Sequence, residues 1–393
     1  MKGQIGYPRL CVASCGLGRV ARGIEAWAND LGYALHKRGH SVLLCKGSGE
    51  RHAEFERVVP CWPRDAKKTQ RLVQAIPHGI GWRFGLGSGY GVEQQTFSRR
   101  LIRVLRQERI DVLHVQDPFV ATAVQKANLR GQVSTKVILA HGTEEPIGFQ
   151  SRVTYLQHLA PWHHEQAQKA GVDRATWVTI PNFIDVDHFY PGRSDQLRRE
   201  LEIPPGQFVV LVVAAIKRRH KRIDYLLGEF KALASSMPDA PITFVIAGGQ
   251  ESDTAALIAM GTELLGDRVR FLVGFPRERM PELYRMADVF VLGSLKEMMP
   301  IALLEATASG LPCVVHQHPV MSWMVAGGGL SLDMTRQGVV TESLHQLLHQ
   351  PEQLAELGAV ARSHCCSQFG TDAVVDQLLE YYRFVAKDQK VAA

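Results

Sequence analysis

Short apolar runs alternate with amphipathic stretches along almost the whole chain. Residues 9–14 read as a strand, followed by a glycine-containing turn and a helix over about 19–37. Residues 41–45 form the next apolar run, and 46–92 look irregular. Phe97, Leu101, Val104 and Leu105 share one face of a helix over 96–108. Strands follow at 111–115, 136–140 and 177–180, with helices near Val120 and over 152–169. A second series opens at residues 208–216, a nine-residue apolar run of the kind a strand buried on both faces requires. Ile223, Leu226, Leu227 and Phe230 mark its first helix, and strands at 242–247, 269–273, 288–292 and 313–315 alternate with helices. Strict alternation predicts parallel sheets with right-handed crossovers, hence α/β domains. The polar segment 191–206 separates the two series. The reading is two doubly wound domains, 1–180 and 181–370, facing each other across a cleft, with ligands at the carboxyl ends of strands.

The 393-residue length suits two domains. A net charge of +6 is compatible with an anionic ligand, an anionic membrane surface or nucleic acid, and selects none of them. Seven scattered cysteines, with Cys365 and Cys366 adjacent, suit neither a disulfide framework nor a zinc site, so a reduced, cytoplasmic chain is expected. The apolar stretch 10–17 is too short and broken for a signal peptide, and no run reaches the ~20 residues that span a bilayer.

The most informative segment runs from Asp288 to Pro312. Pro300 suits a helix start, and Gly310 with Pro312 ends that helix. Glu297 then falls in the loop before the helix and Glu305 on its second turn. The amides of Met298, Met299 and Ile301 present a partly positive helix start to a diphosphate. An ordinary strand–helix unit could carry two such glutamates, so the flanks decide. Val269-Arg-Phe-Leu-Val-Gly274, Tyr284-Arg-Met-Ala-Asp288, Glu297-x7-Glu305 and Ala308-Ser-Gly-Leu-Pro-Cys-Val314 together resemble the donor-binding domain of the large family 4 of retaining GT-B glycosyltransferases. The resemblance covers nearly the whole chain, strongly in its second half.

It implies the GT-B architecture, two Rossmann-like domains with the acceptor on the first and a nucleotide-sugar on the second. A last helix within 371–393 would cross back to the first domain. Glu297 would contact the transferred sugar, Glu305 the ribose, and Gly274 with its neighbours the base. The glycine usual after the first glutamate is replaced by Met298, which keeps the amide and stiffens the loop. In the basic run 217–222, Lys221 matches a lysine that neutralises the leaving diphosphate. Lys217, with Arg218 in reserve, stands where the family carries an arginine, a point charge in place of a fork. Without a bound anion this run would be a solvated basic helix start or a nucleic-acid patch. With these cations no metal or other cofactor is expected.

In the first domain, Gly16 and Gly18 follow the first strand, where the family approaches donor phosphates or the acceptor. A plain strand–helix turn reads the same, and no acidic residue closes the next strand, so a nicotinamide site is disfavoured. His141 ends a strand at the position of a family histidine that contacts the sugar; His114 also ends a strand and is assigned to the acceptor side. Trp82 and Tyr90, in the glycine-rich stretch 77–91, are acceptor candidates or members of a variable surface loop. Asn182 must supply any tight turn in Pro181-Asn-Phe-Ile-Asp185, because Phe183 replaces a family glycine.

The expected reaction is retaining transfer from a UDP- or GDP-type donor to a hydroxyl of a glycan, lipid-linked or small-molecule acceptor. Nucleic acid is not expected as a partner, and peripheral membrane contact is left open. The competing readings are a GT-B sugar-nucleotide epimerase and a non-catalytic anion- or nucleic-acid-binding module.

Overall fold

The computed structural model describes residues 7–20, 22–77, 79, 81 and 85–388. The chain divides into two compact units. The first is Met1–Pro181 with Val374–Ala393, and the second is Asn182–Ala373.

The first unit is built on a seven-stranded parallel sheet ordered β3-β2-β1-β4-β5-β6-β7. The strands are β1 Leu10–Ser14, β2 Val42–Lys46, β3 Glu56–Val58, β4 Val112–Val115, β5 Lys136–Ala140, β6 Tyr155–His158 and β7 Val178–Thr179. Leu10 of β1 pairs with Val42 on one side and Val112 on the other, so the direction of winding reverses between β1 and β4. Cys11, Ala13, Leu113, Val115 and Leu139 of these strands are buried against Phe97, Leu101 and Leu105 of the helix Gly89–Gln107.

The second unit has a six-stranded parallel sheet ordered β10-β9-β8-β11-β12-β13. Its strands are β8 Phe208–Val213, β9 Ile242–Gly248, β10 Val269–Val273, β11 Val289–Leu292, β12 Cys313–His316 and β13 Gly329–Leu332. Here the winding reverses between β8 and β11. Val210, Val212, Phe244, Ile246 and Val291 meet Leu226, Leu227 and Phe230 of the helix Ile223–Ser236 in one core.

Four elements escaped the periodicity. The stretch 46–92 holds β3 and the helix Lys67–Ala75. The predicted helix over 152–169 contains β6 before the helix Pro161–Lys169. Gln157 and His158 of β6 are fully buried although polar, which disguises a strand; the Gln157 side-chain amide donates to Ile180 O at 2.8 Å. Strand β13 is short and only half-buried.

The helix Thr371–Lys387 packs on the first unit. Tyr381 Oη donates to Thr176 O at 2.7 Å, and Lys136 Nζ donates to Val385 O at 2.9 Å. This helix covers His114, which the sequence assigned to the acceptor side. His114 is buried, its Nδ1 lies 2.7 Å from Tyr382 Oη, and its ring sits edge-on to Trp27. Burial holds it neutral, with a pKa pushed down to about 3. Trp82 lies outside the described residues. Among the described residues, no helix is long and apolar enough to cross a membrane.

Candidate active site

In an open parallel sheet, loops diverge where the winding reverses and leave a crevice at the carboxyl ends of the two central strands. In the second unit these are the loops after β8 and β11. They carry the basic run and Glu297, and they meet. Lys221 Nζ is ion-paired with Glu297 Oε1. His220 Nε2 lies 3.0 Å from Lys296 O, and Arg222 Nη1 donates to Gly293 O at 3.2 Å. His220 and Arg222 have φ of 74° and 52°, so the backbone is left-handed on both sides of Lys221. Such residues cost of order 1–3 kcal/mol each and persist where the surroundings impose them. The imposed bend turns Lys221 onto Glu297, whose side chain is only 9% exposed.

The other two candidate cations go elsewhere. Lys217 Nζ lies 3.6 Å from Glu251 Oε1, and Arg218 Nη1 lies 3.5 Å from Asp224 Oδ2. Arg218 also donates its backbone N–H to Asp253 Oδ2 at 3.2 Å.

Pro300 caps the helix Ile301–Ala308, which begins just beyond Glu297. The loop between is anchored from below. Asn182 donates its backbone N–H to Met299 Sδ at 3.1 Å and its side-chain amide to Met299 O at 3.3 Å. Asn182 therefore holds Met299 through both its backbone and its side chain. The turn that follows is closed by Asp185 Oδ1, which accepts from the N–H groups of Asp187 (3.0 Å) and His188 (3.1 Å). These two aspartates form the one Asp-x-Asp sequence in the chain. Met298 is half-buried and Met299 buried.

Glu305 is 1% exposed. Tyr284 Oη donates to its Oε2 at 2.7 Å, and Arg277 Nη1 is ion-paired with its Oε1. Gly274 follows β10; its N–H donates to Gly248 O at 2.9 Å, and no heavy atom lies within 4 Å of where a Cβ would stand. Glu305 and Gly274 thus belong to the same unit as Lys221 and Glu297.

The first unit has its own crevice, after β1 and β4. Cys15 N donates to Asp117 Oδ2 at 3.0 Å across it. A Cβ at Gly16 would stand 2.1 Å from Glu25 Oε1, and one at Gly18 would stand 2.1 Å from Ser48 O. Backbone packing and a φ of 89° therefore demand glycine at 18, whereas at 16 a Cβ would meet movable side-chain ends. Beneath them lies a network that the sequence did not announce. Glu93 is fully buried and ion-paired with Arg19 and Arg64. Glu25 is approached by Arg22 at 3.5 Å and Arg64 at 3.8 Å. The Tyr90 ring lies under the Arg64 guanidinium at 4.4 Å, and its hydroxyl donates to Asp117. Tyr90 is thus brought to the crevice. His141, just past β5, is buried; its Nε2 lies 3.3 Å from Gln150 Nε2 and 3.7 Å from Glu145 Oε2. Burial raises Glu145 to about 7.

Two family descriptions match the chain: "Glycosyl transferases group 1" over residues 193–364 and "Glycosyltransferase Family 4" over residues 21–188. The chain belongs to the group 1 glycosyltransferases. It is 28% identical over 284 residues to a D-inositol 3-phosphate glycosyltransferase of Gordonia bronchialis, covering 68% of this chain and 62% of the relative. The chain thus spans about three fifths of that relative's length. Sucrose-phosphate synthase from Thermosynechococcus elongatus superposes with a TM-score of 0.77 at 17% identity, covering 96% of this chain and 98% of that one. Anabaena Alr3699/HepE, solved with UDP and glucose, superposes at 0.73 and 15% identity, covering 95% and 99%. At these identities the two likenesses establish the GT-B fold.

For this group 1 glycosyltransferase the Glu25 network has a measurable consequence. Burial raises Glu25 and Glu93 from 4.5 to about 7 each. The folded state therefore keeps protons that the unfolded chain releases near pH 4.5. Stability falls as pH rises from about 4.5 through 7, by up to ~3 kcal/mol per group. Glu25→Gln removes one of the two contributions. Thermal unfolding from pH 5.5 to 8 should show a flatter profile in the variant, which becomes the more stable protein at pH 8. Parallel profiles would place Glu25 in an unstrained, ionised state.

Proposed function

We propose that this chain transfers a sugar from a nucleotide-sugar to a hydroxyl acceptor with retention of anomeric configuration. The observation that carries this reading is the Lys221–Glu297 pair at the winding reversal of the second unit, beside a helix start. Lys221 is positioned to neutralise the departing nucleotide diphosphate, and Glu297 to hold hydroxyls of the sugar. Lys217, farther along the same loop, adds to the positive field. Gly274 and Glu305 take the base and ribose. His141 of the first unit assists the sugar. Retention follows if the acceptor attacks on the face the diphosphate leaves and the leaving phosphate takes the acceptor's proton; no protein nucleophile is assigned.

The UDP and glucose solved with Alr3699/HepE support a UDP-type donor. The name of the Gordonia relative supports a hydroxylated small-molecule acceptor. On the first unit, carboxylates and guanidinium groups interleaved beside Tyr90 have the chemistry that hydroxyl recognition uses.

The test is a thermal-shift screen of UDP- and GDP-sugars on the purified chain, followed by donor turnover and NMR of the product's anomeric carbon. A stabilising donor and retained configuration are expected. Epimerised nucleotide-sugar formed without acceptor favours the epimerase; inverted product overturns retention. Because cations face the diphosphate, turnover is expected to survive excess chelator. Abolition by chelator, restored by Mg²⁺ or Mn²⁺, overturns metal independence and turns attention to Asp185 and Asp187.

A further inference from the structure

The net charge of +6 is unevenly divided. The first unit carries 28 lysines and arginines against 17 aspartates and glutamates, a net +11, whereas the second carries 17 against 22, a net −5. The excess is densest between residues 57 and 109, with 11 basic residues and 3 acidic ones. All three acidic residues are engaged by arginines. Asp65 lies 3.0 Å from Arg19, Glu93 is paired with Arg19 and Arg64, and Glu108 lies 2.7 Å from Arg57. Other cations of this stretch are displayed on two helices. Phe97, Leu101 and Leu105 turn one face of the helix Gly89–Gln107 into the core. Arg99, Arg103 and Arg106, spaced i, i+4 and i+7, share the exposed opposite face with Arg100. The helix Lys67–Ala75 buries Thr69 and exposes Lys67, Lys68 and Arg71. Residues 60–62 join the two faces. Arg100 Nη1 donates to Pro60 O at 2.6 Å, and Trp62 donates its backbone N–H to Thr96 Oγ1 at 2.9 Å. Lys68 Nζ lies 4.7 Å from the centre of the Trp62 ring, and Trp62 is 37% exposed.

We propose that this face of the first unit docks on an anionic lipid bilayer, its arginines and lysines on headgroup phosphates and Trp62 at the headgroup level. Like charges crowded on one surface repel each other, and a plane of phosphates relieves that repulsion. Guanidinium groups take phosphate oxygens in pairs, which suits the arginine row. Each basic residue held near an anionic membrane contributes roughly five-fold in partitioning. Tryptophan collects at the membrane interface because its ring is apolar and its N–H polar. Nucleic acid would answer the same charges, but its added affinity for an aromatic comes from base stacking. Lys68 already covers a face of the Trp62 ring, and an ammonium in that place is at home among headgroup phosphates. The inference concerns the first unit alone. It stands whether or not Lys221 and Glu297 act as proposed above.

The experiment sediments the full chain with vesicles of phosphatidylcholine alone and of phosphatidylcholine mixed equally with phosphatidylglycerol. Wild type should bind the mixed vesicles, leave the neutral ones in solution, and be released by high salt, which screens exposed charges. Arg99→Gln, Arg103→Gln and Arg106→Gln combined should lose at least ten-fold in partitioning. Its melting temperature should match wild type, since these side chains are exposed. Arg152→Gln, Lys169→Gln and Arg174→Gln combined remove the same charge from exposed positions near β6 and β7, and should lose far less. Mixed vesicles carrying brominated acyl chains should quench part of the tryptophan fluorescence, and Trp62→Phe should abolish that part. Equal losses for the two triple variants mean diffuse attraction to net charge and overturn the docking face. Equal binding to neutral vesicles overturns the electrostatic basis. Vesicle binding whose quenching survives Trp62→Phe places another surface on the lipid and overturns the proposal. Absence of vesicle binding, with single-stranded DNA bound and lost in the first triple variant, assigns the face to nucleic acid instead. Absence of both kinds of binding leaves a solvated basic surface and equally overturns it.

Discussion

Lys221→Ala should weaken nucleotide diphosphate binding by roughly ten- to hundred-fold and slow transfer at least as much, because one charge-assisted hydrogen bond is worth about 1.5–3 kcal/mol. Lys221 is singled out from its basic neighbours by geometry. Lys217 faces Glu251 and Arg218 faces Asp224, whereas Lys221 alone of the three reaches Glu297. Alanine at either of those positions should cost less, since each is at a surface ion pair of small energy. The left-handed backbone at His220 and Arg222 makes Lys221 hard to replace from along the chain, because a neighbouring cation cannot take its direction. Calorimetry with UDP and a steady-state transfer assay on Lys217→Ala, Arg218→Ala and Lys221→Ala settle the ranking. Equal losses for all three would mean a diffuse field. No loss for Lys221→Ala would remove it from the site.

The architecture was legible because each central strand is apolar on both faces and long enough to be read. The nine apolar residues from Phe208 to Ile216 contain all of β8, with its neighbours β9 and β11 equally plain. What failed was the edge and the polar interior. Strand β6 buries Gln157 and His158, and those residue types suggest surface. The surroundings of His114 were hidden for a related reason. Its position on a strand could be read, but a helix some 260 residues later in the chain supplies Tyr382 as its partner, and no local pattern carries that information. The paired glutamates stood out through spacing. The partners of Glu305 were less plain: Tyr284 stood out only as part of a motif, with no contact attached to it, and Arg277, an arginine after a strand, is ordinary in isolation. Glu25 and Glu93 were hidden for the same reason: helical carboxylates look solvated until the fold shows what covers them.

The two glutamates should separate when each is made neutral. Glu297 is ion-paired with Lys221, so a donor diphosphate and Glu297 draw on the same cation. Glu297→Gln frees that lysine. Bare UDP, which has no sugar to contact, should bind the variant as well as wild type or a few-fold more tightly. Transfer should nevertheless fall by roughly a hundred-fold, since stabilisation of the sugar is lost in the transition state. Glu305→Gln is the opposite case. Arg277 and Tyr284 hold this carboxylate in place, one on each oxygen, and an amide there presents an N–H where Arg277 or Tyr284 needs an acceptor. Bare UDP should bind about ten-fold more weakly or worse, and transfer should fall with it, chiefly through KM at low donor. An interaction shared by ground state and transition state appears in binding; one made mainly in the transition state appears in turnover. Calorimetric titration of UDP beside kcat and KM for both variants makes the comparison. If Glu297→Gln loses UDP affinity and Glu305→Gln keeps it, the donor lies in the opposite orientation. If neither variant changes either quantity, the donor binds elsewhere in the chain.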